Sequence, residues 1–331
     1  MLSRPRRLRD HAVVRDLIHE THLSLAHLIQ PYFLSSESRA QEPISGFTGV
    51  YRWGIEALKK RISADLERGV KSFLLFGAAP ANEKDAQGSL AQNPESLLPK
   101  SIRNLKRTFG DQVVLFSDVC LCPFTDHGHC GVVSEGRVEN DYSVRLLSQM
   151  ALVHAQAGVD FVAPSDMMDG RVAAIRNQLD ANGLSHTGIL AYSAKYASSY
   201  YGPFREALGS SPQKPNHERL RDRSTYQMDF RNSSEALREV QADIQEGADM
   251  VMVKPALPYL DIISAFRAQS NVPVVAYSVS AEFEMVKSLA AKGMADERLM
   301  VIENLTAIRR AGAHLVVTYH ATEIAEKGWL R

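Results

Sequence analysis

The feature that most constrains this sequence is a rhythm: short apolar, β-rich runs recur eight times, separated by longer segments with helical spacing. The runs are LIQPYFL (28–34), KSFLLFG (71–77), QVVLFSD (112–118), DFVAPSD (160–166), GILAYSA (188–194), DMVMVKP (249–255), VPVVAYS (272–278) and HLVVTYH (314–320). Near-continuous apolar runs of this length suit strands buried on both faces. Between them lie amphipathic stretches such as VRLLSQMALVHAQAG (144–158), SEALREVQADIQEG (234–247) and AEFEMVKSLAAKG (281–293), the last two ending in glycine as helices often do. Strand and helix in alternation imply parallel strands joined by crossovers. Eight repeats predict an α/β chain folded as one (β/α)8 TIM barrel. A doubly wound sheet is the structural rival, but it usually has fewer strands, and no G-x-G-x-x-G follows the first run.

In a barrel of this kind chemistry gathers where strands end. Three of the eight ends are unusual: the third carries Asp118 and a cysteine cluster, the fifth Lys195, and the sixth Lys254 followed by Pro255. All three cysteines of the 331-residue chain, Cys120, Cys122 and Cys130, fall within DVCLCPFTDHGHCG. Three cysteines cannot all pair within one chain, so the cluster reads as thiols or thiolates. The 38 basic and 38 acidic residues cancel, which leaves no global field to attract nucleic acid or an anionic membrane. No run reaches the roughly 20 apolar residues that span a bilayer, and the N-terminal RPRRLRDHAVVRD lacks the apolar core of a signal peptide. The expectation is a cytoplasmic protein with reduced thiols, no nucleic-acid partner and no membrane partner.

Thiolates at i and i+2 point to one face of an extended segment, with Cα atoms about 6 to 7 Å apart. Side chains leaning together can close that to the spacing of tetrahedral ligands around zinc, with Zn–S near 2.3 Å. A third thiolate returns from a loop in which Gly128 and Gly131 give freedom to turn. Three protein ligands leave one position open, as catalytic zinc sites do. His127 and His129 could fill it or stand behind the ligands. The plainer alternative is three buried, idle cysteines, because free cysteine is a common core residue. Lysines are mostly solvated surface groups, yet Lys254 follows MVMV and Lys195 ends ILAYSA, so both should project into a packed barrel mouth. Burial and a second ammonium nearby disfavour the charged form, so each could lower the other's pKa and free an amine to attack a ketone.

At this point the residues resemble a known family. DVCLCPFTDHGHCG, APSDMMDGRV (163–172), SYYGPFREALGS (199–210), TYQMDF (225–230) and MVKPALPYLDI (252–262) together look like porphobilinogen synthase, also called 5-aminolevulinic acid dehydratase, in its zinc-dependent cysteine-rich form. The resemblance runs from RPRRLR at residue 4 to the last strand. It implies a (β/α)8 barrel with an N-terminal arm, assembled as a homo-octamer. It also implies condensation of two 5-aminolevulinate molecules, with loss of two waters, to porphobilinogen for tetrapyrrole and heme biosynthesis. Residues 1–24 would form the arm and 25–331 the catalytic barrel.

Carried over by position, the resemblance assigns roles. Lys254 would bind the first substrate molecule, its carboxylate meeting Ser280 and Tyr319. Lys195 would hold the second, its carboxylate meeting Arg205, Arg223 and Gln227. Cys120, Cys122 and Cys130 would hold zinc, and Asp118 and Ser165 would orient groups or transfer protons. Glu239 resembles a ligand of an allosteric magnesium at a subunit interface, although a glutamate on an amphipathic helix is ordinarily its solvated face. The family commonly has Gln and Phe where this chain has Ser278 and His320, both beside the first carboxylate site. The stretch GSSPQKPNHERLRDRSTYQMDFRNSS (209–234) is too polar and proline-broken for a core element and reads as an active-site lid carrying Arg223, or else as a solvated insertion. A class I aldolase would explain the barrel and one Schiff-base lysine, but neither the three thiols nor the second lysine. A zinc sensor would explain the thiols and leave both lysines idle.

Overall fold

The structure is a computed structural model that describes residues 3–212 and 220–330. The eight apolar runs form eight parallel strands: β1 (Leu28–Leu34), β2 (Ser72–Phe76), β3 (Val114–Val119), β4 (Phe161–Pro164), β5 (Gly188–Lys195), β6 (Met250–Lys254), β7 (Val274–Tyr277) and β8 (Leu315–Val317). Each pairs with its sequence neighbour, and β8 returns to β1 through Leu28↔Val316 and Ile29↔Val317, closing the barrel expected from the sequence. Closure removes both sheet edges and places every strand end at one of two rims.

The strands read as unbroken apolar runs because both faces are buried. One set of side chains fills the barrel, among them Phe33, Leu74, Phe76, Phe116, Tyr192, Met252 and Val317. The other set, such as Leu75, Leu115, Val162 and Val253, meets the surrounding helices through Ile62, Leu105, Leu147 and Ile308. Rings of Phe33, Phe76, Phe204 and Tyr319 pack with centroids 5.0 to 6.2 Å apart toward the mouth, the spacing at which aromatic pairs attract. The helices Ser234–Gln245 and Ser280–Ala291 are followed closely by Gly247 and Gly293, both at positive φ, as their terminal glycines suggested.

Two small hairpins were not visible in the sequence pattern. Gln41–Pro43 pairs antiparallel with Tyr51–Trp53, which extends the sheet beside the end of β1. Val133–Ser134 pairs with Arg137–Val138 in the loop beyond the cysteines. Segments of two and three residues are too short to show an alternation. At the N-terminus, the helix Ala12–Ile18 leaves Val13 and Leu17 largely exposed.

Candidate active site

Asp118 ends β3, Ser165 follows β4, Lys195 ends β5, Lys254 ends β6, Ser280 follows β7 and Tyr319 follows β8. All six therefore sit at the C-terminal rim, where this fold builds its sites. Lys195 and Lys254 stand opposite each other across the β5–β6 ladder and are only 4% and 3% exposed.

Their shared inward aim depends on an irregularity in β5. Leu190 and Tyr192 face the barrel interior, so strict alternation would turn Ala194 inward and Lys195 out toward the helices. The register shifts instead: Ala191 faces Val251, but Ala194 faces Val253, three residues against two. This bulge at Tyr192–Ser193 reverses the alternation, places Ala194 in the outer layer and brings Lys195 inside.

Four rings enclose the Lys254 ammonium, whose Nζ lies 4.2 Å from the centroid of Tyr277, 4.5 Å from Phe204, and 5.3 Å from Tyr192 and Tyr201. Burial, then repulsion from Lys195, pushes its pKa down to about 7, against the opposing pull of Asp118 and Cys122. Lys195 donates from Nζ to the Ser165 carbonyl, and its Nζ lies 5.7 Å from the same Tyr192 ring. Burial raises the Asp118 pKa, and both lysines and a hydrogen bond from Ser165 oppose the rise. Asp118, Ser165 and the two lysines thus form one electrostatic unit, as their positions at neighbouring strand ends required.

The three cysteines are buried and unpaired, and their sulfurs lie within 4.8 Å of one another, Cys120 and Cys122 at 3.3 Å. Ligands 2.3 Å from a tetrahedral zinc stand about 3.8 Å apart, so the donor set fits that metal in number, chemistry and spacing. Burial and the neighbouring thiols raise Cys120. Cys130 goes the other way: burial opposes it, but hydrogen bonds from Cys120 and Cys122 and the charge of Arg223 hold it low. Cys122 is pushed up to about 11, its hydrogen bond with Cys120 opposing while that with Cys130 and burial prevail, so negative charge is favoured at Cys130 alone. His129 is buried, with Nδ1 3.1 Å from the Tyr226 hydroxyl, whereas His127 faces the Ala86 carbonyl, so neither joins the sulfurs. Gly128 does turn the loop at positive φ; Gly131 serves packing instead, since a Cβ there would fall 2.5 Å from Ser143 Oγ.

Beyond the cysteine cluster lies a concentration of positive charge. Arg205 is on the helix Gly202–Leu208; Arg223 is buried and donates to the carbonyls of Gly128 (3.0 Å) and Ser210 (2.6 Å). No salt bridge joins either guanidinium to a carboxylate among the described residues, and burial followed by repulsion from Arg223 lowers the Arg205 pKa. Nε of both arginines, both amide atoms of buried Gln227, the Tyr192 hydroxyl and Asp118 Oδ1 have no hydrogen-bond partner among the described residues. Buried polar atoms seldom go unpaired, so this cluster has the character of a site for an anionic, polar ligand. On the β7–β8 side, the Tyr277 and Tyr319 hydroxyls are 2.9 Å apart, and Ser280 Oγ lies 3.2 Å from the Tyr200 carbonyl.

Residues 209–234 depart from the polar insertion that their composition suggested. Residues 213–219 lie outside the described residues, but Leu220, Arg223, Gln227 and Met228 are buried. Met228 exchanges backbone hydrogen bonds with Lys195 and Ala197, and Tyr226 receives the Cys130 N–H at 3.2 Å. The segment packs down onto the rim because it extends the β5 backbone ladder, a tertiary contact that hydropathy does not register. His320 points toward Phe283 and Glu323 rather than into the barrel. It joins Glu297 and Glu323, but Lys287 and Lys327 already neutralise these carboxylates, so the group is an internal ion cluster and not a cation site. Glu239 is half-buried and lines a cavity of about 600 Å³ with Asp169, Glu235 and Asn140. Tyr192 and Tyr226 were not singled out in the sequence; for Tyr192 the signal was its place three residues before Lys195.

Comparison with known proteins bears on this geometry. The sequence profile described as Delta-aminolevulinic acid dehydratase matches residues 2–327. The delta-aminolevulinic acid dehydratase of Streptomyces coelicolor is 45% identical over 98% of this chain and 96% of its own length. That of Methanothermus sociabilis is 47% identical over 98% of each. Among solved structures, delta-aminolevulinic acid dehydratase (porphobilinogen synthase) from Toxoplasma gondii, in complex with the reaction product porphobilinogen, is similar at a TM-score of 0.94. Identity there is 45%, covering 99% of this chain and 92% of that one.

Proposed function

This chain belongs to the delta-aminolevulinic acid dehydratase family, which condenses two 5-aminolevulinate molecules to porphobilinogen, and we propose that Lys254 and Lys195 carry that reaction. The observation that supports this reading best is the pair itself, two buried lysines in register at adjacent strand ends beside three clustered thiols.

With its pKa near 7, about half of Lys254 is the neutral amine at neutral pH. The amine adds to the ketone of the first molecule, and loss of water from the resulting carbinolamine leaves a Schiff base. Ser280 and Tyr319 receive this molecule's carboxylate, and the ring cage excludes water from the imine. The second molecule is held by Lys195, with its carboxylate between Arg205 and Arg223 and against Gln227. Asp118, whose carboxyl burial pushes upward in pKa against the pull of Lys195, and Ser165 pass protons to departing water. Cys120, Cys122 and Cys130 would hold zinc, which would supply a Lewis acid for the second molecule's polar groups. Residues 209–234 act as the lid that brings Arg223 to the site.

The same reading extends to assembly. Residues 1–24 form an arm whose exposed Val13 and Leu17 pack on a neighbouring subunit of a homo-octamer, and Glu239 takes part in an allosteric magnesium site. No helix among the described residues is long and apolar enough to cross a membrane. A cytoplasmic location fits that composition and the reduced thiols.

Two measurements follow. Arg223→Ala should raise the 5-aminolevulinate concentration for half-maximal pyrrole formation by roughly 10- to 150-fold, the equivalent of about 1.5 to 3 kcal/mol for one arm of a charged clamp. Metal content and adduct formation at Lys254 should hold; unchanged kinetics would remove Arg223 from the substrate site. The second concerns pH. Only the neutral amine reacts, and its folded pKa is depressed, so borohydride trapping at Lys254 should be half-maximal near pH 7 and fall away as pH drops. In Lys195→Ala one cause of the depression is gone, and the midpoint should move up. A midpoint near the ordinary lysine value in the wild-type protein would contradict the role of the cage.

A further inference from the structure

The bulge that turns Lys195 into the barrel leaves a carbonyl outside the regular ladder, and a buried side chain takes it up. Arg171, 2% exposed at the start of the helix Arg171–Ala181, donates from Nη2 to the Tyr192 carbonyl at 3.2 Å. Its other contacts reach the loop that follows β4. Nη1 donates to the Met168 carbonyl at 3.3 Å, and the guanidinium stands 4.0 Å from Asp166. Asp166 in turn accepts the Met168 N–H at 2.8 Å, in the same loop whose Ser165 carbonyl receives the Lys195 ammonium. The guanidinium is fixed by a two-armed pair with Asp243, both contacts at 3.1 Å, from the helix Ser234–Gln245.

We infer that Arg171, held by Asp243, is a positioning residue for Lys195: one guanidinium ties the bulge that aims the lysine to the loop that receives its amine. The inference rests on the reading that Lys195 holds the second substrate. The planar fork is what permits it, because three acceptors in different directions are met by one rigid group; a lysine's single ammonium cannot span them. Removing the pair together need not unfold the protein, since a buried ion pair replaced by apolar side chains of similar size often leaves a protein as stable as before.

That difference makes the test. The double variant Arg171→Met/Asp243→Leu removes both charges together, and Arg171→Lys keeps the charge balance but not the fork. Each is compared with wild type and Lys195→Ala for cooperative melting, for pyrrole formation from 5-aminolevulinate, and for borohydride trapping at Lys254 at pH 9, where that amine is neutral. Both variants are expected to fold, to lose pyrrole formation on the order of 100-fold, as a displacement of about 1 Å at a reacting group does, and to form the Lys254 adduct within about twofold of wild type. A folded variant of either kind that makes pyrrole at near the wild-type rate would overturn the inference, since charge balance or packing alone would then suffice. So would loss of the Lys254 adduct in step with pyrrole, which would mean general damage to the rim. If Lys195→Ala itself makes pyrrole at the wild-type rate, the two-lysine reading fails separately from the role of Arg171.

Discussion

Replacing Lys254 by methionine is expected to lower pyrrole formation by roughly 10⁴-fold or more, the scale seen when a covalent nucleophile is removed. Methionine nearly matches the length of the lysine stem and fills the cage of Tyr192, Tyr201, Phe204 and Tyr277, so packing is preserved while the amine is lost. The protein should not melt lower. Lys254 lies beside Lys195 in a buried site that disfavours its charge, and removing it relieves that repulsion. Loss of activity with loss of the fold would say nothing special about the amine; loss of activity at undiminished stability assigns the chemistry to it. Retention of even a tenth of the wild-type rate would place the covalent step elsewhere.

The second large effect is expected at the thiols. Chelation, or Cys122→Ser, should abolish bound metal and lower the rate by on the order of 10² to 10⁴-fold, in keeping with several kcal/mol for a Lewis acid at a developing charge. The loop should survive, because Thr125 Oγ1 donates to the His129 carbonyl and Tyr226 receives the Cys130 N–H, contacts that do not depend on the sulfur of Cys122. Zinc should restore the chelated protein, whereas magnesium should not, since thiolates prefer the softer ion. A fully active, metal-free protein would return the cysteines to the status of core residues.

Much of this molecule is legible in its sequence, for a definite reason. In a closed parallel barrel both strand faces are buried, so β1, β5 and β6 stand out as apolar runs whatever their neighbours. Strand ends are then known from the strands, and Asp118, Cys120, Lys195 and Lys254 fall on them. What depends on contacts between distant segments is not legible. Alternation through GILAYSAK would aim Lys195 at the helices; only the mismatch with β6 brings it inside. The partner of Arg171 is 72 residues away in sequence, and no local pattern connects them. The polar composition of 220–228 hides the burial of Leu220, Arg223, Gln227 and Met228, because Arg223 and Gln227 turn inward polar atoms that no partner among the described residues takes up. A resemblance across whole motifs supplied the substrate roles, which spacing alone left open between a Schiff-base enzyme and a metal site.

Borohydride added to the protein with 5-aminolevulinate, followed by peptide mapping, tests whether one caged lysine is the covalent centre. The expected result is a single reduced adduct on the peptide that bears Lys254, in the wild type and also in Lys195→Ala, where the first molecule can still bind. Pyrrole formation with no adduct at Lys254, or an adduct confined to another lysine, would contradict the assignment.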